Sequence, residues 1–129
     1  MSLSKIKTLD ELSVILDSER EKGKKIVHCH GCFDYLHYGH LKHFESARKQ
    51  GDVLVVTVTP DEFIKKGPGS PYYHQDLRLE FIASLEPVNW VALNKWPTAV
   101  NTILTLKPNV YVKGKEVLSN KNVDELKKG

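Results

Sequence analysis

Residues 52–59 read DVLVVTVT, an almost unbroken run of β-branched and aliphatic side chains. A strand with one wet face alternates apolar and polar positions. A run of this kind has to bury both faces, as the inner strands of a parallel sheet do. Parallel neighbours in turn require crossover connections packed on the sheet, so helical segments should stand before and after it.

The flanking sequence supplies them. Thr8-Leu9-Asp10-Glu11 is a capping-box pattern, and Leu9, Leu12, Ile15 and Leu16 follow at helical spacing, with the helix ending near Gly23. Residues 25–30 read as a strand with Val27 and Cys29 on one face and His28 and His30 on the other. A loop over 31–38 leads to a helix that starts around Gly39 and runs to Lys49, with Gly51 as its stop. Pro60-Asp61-Glu62 has the form of a first helical turn, and 65–73, KKGPGSPYY, is a loop by its glycines and prolines. A helix over 75–85 presents Leu77, Phe81, Ile82 and Leu85 as its apolar positions. It is followed by a strand over 88–93, a helix over 98–106 and a short strand over 109–112. Trp90 and Trp96 flank that third strand as packing residues. Residues 114–129 are polar and lysine-rich and read as a weakly ordered tail. The expected fold is α/β, a doubly wound parallel sheet with helices on both faces, which binds ligands beyond the carboxyl ends of its strands.

With 129 residues the chain is expected to form one domain over 1–129, which can be a fragment of a longer protein. The formal charge of +3 suits a small anionic ligand and is too diffuse for nucleic acid. No apolar run approaches the ~20 residues of a membrane helix, so no membrane partner is expected. The polar N-terminus lacks a secretory pattern, and two cysteines without one point to a reducing, cytoplasmic setting.

Residues 28–43, HCHGCFDYLHYGHLKH, hold five of the six histidines. The first strand ends at Gly31-Cys32-Phe33-Asp34, and the chain turns through Leu36-His37-Tyr38-Gly39-His40 into a helix. The unpaired N–H groups and positive end of such a helix favour an anion. His37 and His40, three residues apart, can point to one side, and Gly39 allows a phosphate close to the backbone. Two imidazoles so placed can donate hydrogen bonds to oxygens that gain charge as a phosphorus–oxygen bond breaks.

The stretch Gly31-Cys32-Phe33-Asp34-Tyr35-Leu36-His37-Tyr38-Gly39-His40 strongly resembles the G-x-F-D-x-x-H-x-G-H signature of the cytidylyltransferase-like nucleotidyltransferases. Up to about Glu116 the chain is similar to the ADP-heptose-synthase branch, which includes domains fused to sugar kinases. Gly51-Asp52, Lys66-Gly67, Arg78 and Tyr111-Val112-Lys113-Gly114 carry that similarity. The R-T-x-G-I-S-T-T element of glycerol-phosphate and choline-phosphate cytidylyltransferases is absent.

The resemblance implies a Rossmann-like domain that moves a nucleoside monophosphate from ATP or CTP to a phosphorylated acceptor and releases pyrophosphate. His37 and His40 would hold the nucleotide phosphates and stabilise the transition state, with Lys42 adding charge. Gly31, Cys32, Phe33, Asp34, Gly39, Lys65 and Lys66 complete the expected nucleotide site. Arg78, Lys113 and Gly114 are expected to hold an acceptor or distal phosphate. Magnesium would arrive with the triphosphate, keeping most of its waters, with no dedicated protein ligands. A sugar 1-phosphate with ATP is the favoured pair, and glycerol 3-phosphate or an alcohol phosphate with CTP is the alternative. A nucleotide-binding module serving a fused or partner sugar kinase without catalysis is a reading of another class. A homodimer is the general expectation for such a domain.

Each of these residues also has an ordinary structural role open to it. Arg78 could be a surface arginine paired with Glu80 or Asp76, Lys65 and Lys66 could be solvated charge, and Asp34 could close the turn through backbone bonds. Cys29-His30-Gly31-Cys32 could form a redox pair, or a zinc site with His37, His40 or His43, but packing is the default for both thiols.

Overall fold

The computed structural model describes residues 2–64, 73–113 and 116–119. Helix α1 (Leu9–Glu21) opens on Thr8, whose hydroxyl accepts from the Glu11 N–H at 3.1 Å while the Glu11 carboxylate accepts from the Thr8 N–H at 2.9 Å. Gly23, at φ +80°, carries the chain out of the helix in the left-handed region. Then follow β1 (Ile26–Gly31), α2 (Tyr38–Arg48), β2 (Val53–Val58), a single 3₁₀ turn (Asp61–Phe63) and α3 (Gln75–Ala83). The chain continues through β3 (Trp90–Leu93), α4 (Val100–Leu106), β4 (Val110–Lys113) and β5 (Glu116–Ser119).

The sheet order is β3-β2-β1-β4-β5. The first four strands are parallel, and β5 returns antiparallel on β4. Residues 116–119 are therefore a strand and not the weakly ordered tail that their polarity suggests. A run next to an existing edge needs only backbone pairing to extend a sheet. Residues 120–129 lie outside the described part of the chain, as does the loop expected over most of 65–73.

From β1 the chain steps outward to β2 and β3, then crosses back to place β4 on the other side of β1. The strand order thus reverses between β1 and β4, and a crevice forms beyond their carboxyl ends. Every residue of β2 is buried, as the DVLVVTVT run requires.

One face of the sheet packs Val27, Cys29, Leu54, Val56 and Val91 against Phe44 and Ala47 of α2 and Leu79, Ile82 and Ala83 of α3. On the other face Ile26, Val53, Val55 and Ala92 meet Leu9, Leu12 and Leu16 of α1 and Leu106 of α4, with Trp90 and Trp96 packed at its margin. The doubly wound sheet with helices on both faces is the architecture expected from the sequence. The inward side of α3 differs from expectation. Arg78, Leu79, Ile82 and Ala83 face the core, while Leu77 and Phe81 are exposed.

Candidate functional site

The site is built where β1 hands over to α2. Phe33 takes a left-handed φ of 47° just after the strand, which turns its ring back toward the core. That ring lies edge-on to Phe44, centroids 5.3 Å apart, and edge-on to His40 at 5.7 Å. It also covers Gly31 so closely that a Cβ there would stand 2.9 Å from its Cζ atom. The phenylalanine is therefore the peg that seats the turn beneath the second histidine.

His37 caps α2. Its Nδ1 accepts from the Gly39 N–H at 3.0 Å, and the Nδ1 of His40 accepts from the His37 N–H at 3.3 Å. A nitrogen that accepts a backbone proton carries none of its own, so each neutral ring bears its proton on Nε2. The two imidazoles sit with centroids 4.3 Å apart and planes inclined at 52°. Each thus has one nitrogen committed to the helix start and an Nε2–H left to donate elsewhere. Gly39 has a steric reason of its own: a Cβ there would fall 2.7 Å from His37 Cε1. The glycine makes room for the capping ring as well as for any ligand.

Burial, together with the neighbouring His37 and His43, holds the His40 ring below the ordinary histidine value. Burial acts in the same direction on His43. A neutral His40 keeps the capping arrangement, since protonation at Nδ1 would turn its acceptor into a donor facing the His37 N–H.

Arg78 is placed quite differently from the expectation of a phosphate ligand or a surface residue paired with Glu80 or Asp76. Its side chain is fully buried. Nη1 donates to the carbonyls of Cys32 at 2.6 Å and Thr59 at 2.7 Å. Nε donates to the Tyr73 carbonyl at 2.9 Å, and Nη2 to Asp61 Oδ1 at 2.6 Å. With four of its five N–H donors placed on protein acceptors, the guanidinium fastens the ends of β1 and β2 to the start of α3. Partial burial pushes the Asp61 carboxyl up, but hydrogen bonds from Arg78, Gln75 and His74 outweigh it and hold the group below its ordinary value.

Lys42 also departs from expectation. Two residues past His40 on a helix is about 200° around the axis, so the two side chains do not share a face. Lys42 is exposed, 3.5 Å from Glu45 and 5.2 Å from the centroid of the Tyr38 ring. Cys32 and Asp34 lie in the turn, partly buried. Lys113 ends β4, beside the strand-order switch. Lys65, Lys66 and Gly114 fall outside the described residues.

Cys29 packs in the apolar core against α2, and burial pushes its thiol up to about 12, far from a reactive thiolate. Cys29 and Cys32 are unbridged. The burial of Cys29 suits a packing role for that thiol. Exposed Leu77 and Phe81 line a cleft of about 400 Å³ together with Leu36 and Tyr73. A second, more polar cleft of about 560 Å³ lies at the carboxyl ends of β2 and β3, lined by Asp61, Glu62, Gln75, Asn94 and Lys95 among others.

Residues 28–129 match the cytidylyltransferase-like family, a span that begins in β1 and contains the whole turn. The chain belongs to that family. By this membership it is a cytidylyltransferase-like domain. It is similar to the bifunctional protein HldE of Aliarcobacter butzleri, with 41% identity over 98% of this chain and 28% of that protein. HldE of Geobacter metallireducens is 41% identical over 86% of this chain and 23% of its own length. The chain thus spans about a quarter of the length of the curated relatives it matches. A crystal structure of a lipopolysaccharide core biosynthesis protein from Thermoplasma volcanium superposes with a TM-score of 0.67 at 25% identity, covering 81% of this chain and 87% of that one. Among the described residues no helix is long and apolar enough to cross a membrane.

Sequence reasoning missed the partners of β1's inward histidines. Thr57 stands between His28 and His30, 2.7 Å from His28 Nε2 and 2.9 Å from His30 Nδ1. The placement of histidines on alternate strand positions was the available signal, but the partner depends on the β1 and β2 register.

Proposed function

We propose that the domain transfers a nucleoside monophosphate from ATP or CTP to a phosphorylated small-molecule acceptor, releasing pyrophosphate. The observation that carries this reading is the histidine pair at the start of α2. Both Nδ1 atoms are engaged by backbone N–H groups, so both Nε2–H groups are preset as donors beside a helix N-terminus. The acceptor phosphate is already ionised at neutral pH, so no covalent nucleophile is required of the protein. Its work is to position the α-phosphorus in line with the departing group and to stabilise the charge that develops there.

Gly31, Cys32, Phe33, Asp34 and Gly39 would shape the nucleotide site around the pair. Lys65 and Lys66 would neutralise phosphate, while Lys113 and Gly114 would meet a phosphate at the strand-order switch. Arg78 enters this scheme as a positioning residue, through the Cys32 carbonyl. Magnesium would accompany the triphosphate. Such a cation would be held mainly by phosphate oxygens and water.

A sugar 1-phosphate with ATP is the favoured pair. The polar cleft at the ends of β2 and β3, with its carboxylates and amides, suits a ligand with many hydroxyls. Similarity to a quarter of bifunctional proteins supports action beside a second activity, for which a sugar kinase is our reading; a cytoplasmic setting and a homodimer complete the proposal on general grounds.

Pyrophosphate release, measured across ATP and CTP with sugar 1-phosphates and glycerol 3-phosphate, tests the reading. Release with one sugar phosphate and ATP supports it. Nucleotide binding without turnover for any pair would leave a non-catalytic module instead. His40→Ala is expected to lower turnover by about two orders of magnitude, as loss of one transition-state donor does, with the fold retained. A near-parental rate would overturn the role of the pair.

A further inference from the structure

Behind the histidine pair, on the sheet face that packs against α1 and α4, lies a second set of polar side chains. His28 and Thr57 are fully buried, Thr59 is nearly so, and His30 is partly buried at the end of β1. We propose that His28, Thr57, His30 and Thr59 form a one-way hydrogen-bonded chain that ends on the Gly31 carbonyl. It makes Thr57 and His30 positioning residues for the turn that carries His37 and His40.

The direction follows from counting protons. A threonine hydroxyl has one proton to give, so Thr57, with a ring nitrogen on each side, donates to one and accepts from the other. At the far end, Thr59 Oγ1 donates to the Gly31 carbonyl at 3.3 Å and lies 3.4 Å from His30 Nε2. With its proton given to Gly31, Thr59 accepts from His30, which therefore carries its proton on Nε2. His30 Nδ1 is then bare and accepts from Thr57, and Thr57 accepts from His28 Nε2–H.

That order leaves His28 Nδ1 as an unprotonated nitrogen, and this buried atom has no hydrogen-bond partner. The reverse order would place an orphaned N–H there, and orphaned buried donors are rarer than under-used acceptors. Both rings have to be neutral for the chain to run. Burial favours this, holding His28 at about 3 and His30 at about 4.

The chain fixes the point where β1 becomes the turn. Gly31 O receives the Thr59 hydroxyl and also the Thr59 N–H at 2.9 Å, while the next carbonyl, Cys32 O, is held by Arg78. The first two peptides of the signature are thus tied from two sides before the chain reaches His37. The catalytic consequence rests on the nucleotidyl-transfer reading, whereas the proton order does not.

Long-range proton–nitrogen NMR of the ring nitrogens in the parent protein is expected to show His28 and His30 as Nε2–H tautomers. Nδ1–H on either ring would overturn the chain, whatever the activity. Turnover and thermal stability of two variants then separate positioning from packing. Thr57→Ser keeps the hydroxyl and loses a methyl, so stability should fall while turnover stays near parental. Thr57→Val keeps the shape and loses the hydroxyl, so turnover should fall on the order of tenfold or more, as small misplacements of a site do. Its His30 should also lose the single tautomer. Parental turnover in Thr57→Val, or loss in Thr57→Ser as deep as in valine, would refute the positioning role.

Discussion

The two faces of the sheet are filled by different chemistry. Toward α2 and α3, β1 and β2 present Val27, Cys29, Leu54, Val56 and Val58, a dry apolar layer. Toward α1 and α4 the same strands present Ile26, His28, His30, Val55 and Thr57, with Asn94 and Thr102 buried nearby and Tyr111 tilted over His28 at 5.2 Å. The apolar face holds the strands in place without specifying a direction. The polar face fixes proton positions and therefore orients particular peptides. A site that needs donors aimed within tenths of an ångström draws on both.

The strongest way to break this contrast is at Phe44, fully buried between α2 and the sheet and in ring contact with Phe33. Phe44→Ala should cost about 3–5 kcal/mol, read by denaturant unfolding, because it removes a large ring and leaves a cavity. A loss below 1 kcal/mol would mean that the apolar layer does not carry the fold.

Next comes Arg78, the charged side chain that the described apolar side buries. Arg78→Ala should destabilise by about 3 kcal/mol, since it strands Asp61 and the carbonyls of Cys32 and Thr59. Nucleotide affinity should fall with it through the loosened turn. Weaker phosphate binding with unchanged stability would instead restore Arg78 to the role of a direct ligand.

Acid sharpens the comparison, because the two most deeply buried histidines both lie on the polar face. Burial depresses both inward histidines from 6.5, His28 to about 3 and His30 to about 4. The unfolded chain therefore takes up these protons first. Their contribution is present in full above about pH 6.5 and drains away as the pH falls toward 4 and then 3, at up to about 1.4 kcal/mol per pH unit for each ring. Unfolding measured between pH 7 and 4.5 should show this slope. His28→Phe, whatever its own stability, should have a shallower one. Equal slopes would show that the polar face is not where acid acts.

Much of this was legible in the sequence, for reasons that are local. The Thr8 and Glu11 box, the double-buried run of β2 and the glycine-spaced histidines each act within a few residues of themselves. What was hidden depends on distant partners. Leu77 and Phe81 sit four apart and imitate a buried stripe, but the carbonyls of Cys32 and Thr59 converge on position 78 only after β1 and β2 are side by side. The tail's fifth strand needs β4 as a template. Thr57 joins the histidines only because the register sets His30 opposite it.

The close contacts of Gly31 and Gly39 bear on how the signature can change over generations. Each glycine is required by a ring two positions away, Phe33 in one case and His37 in the other, whose atoms occupy the space a methyl group would need. The motif is therefore written as two interlocked couples, and neither glycine is at liberty to gain a side chain while its ring stays in place.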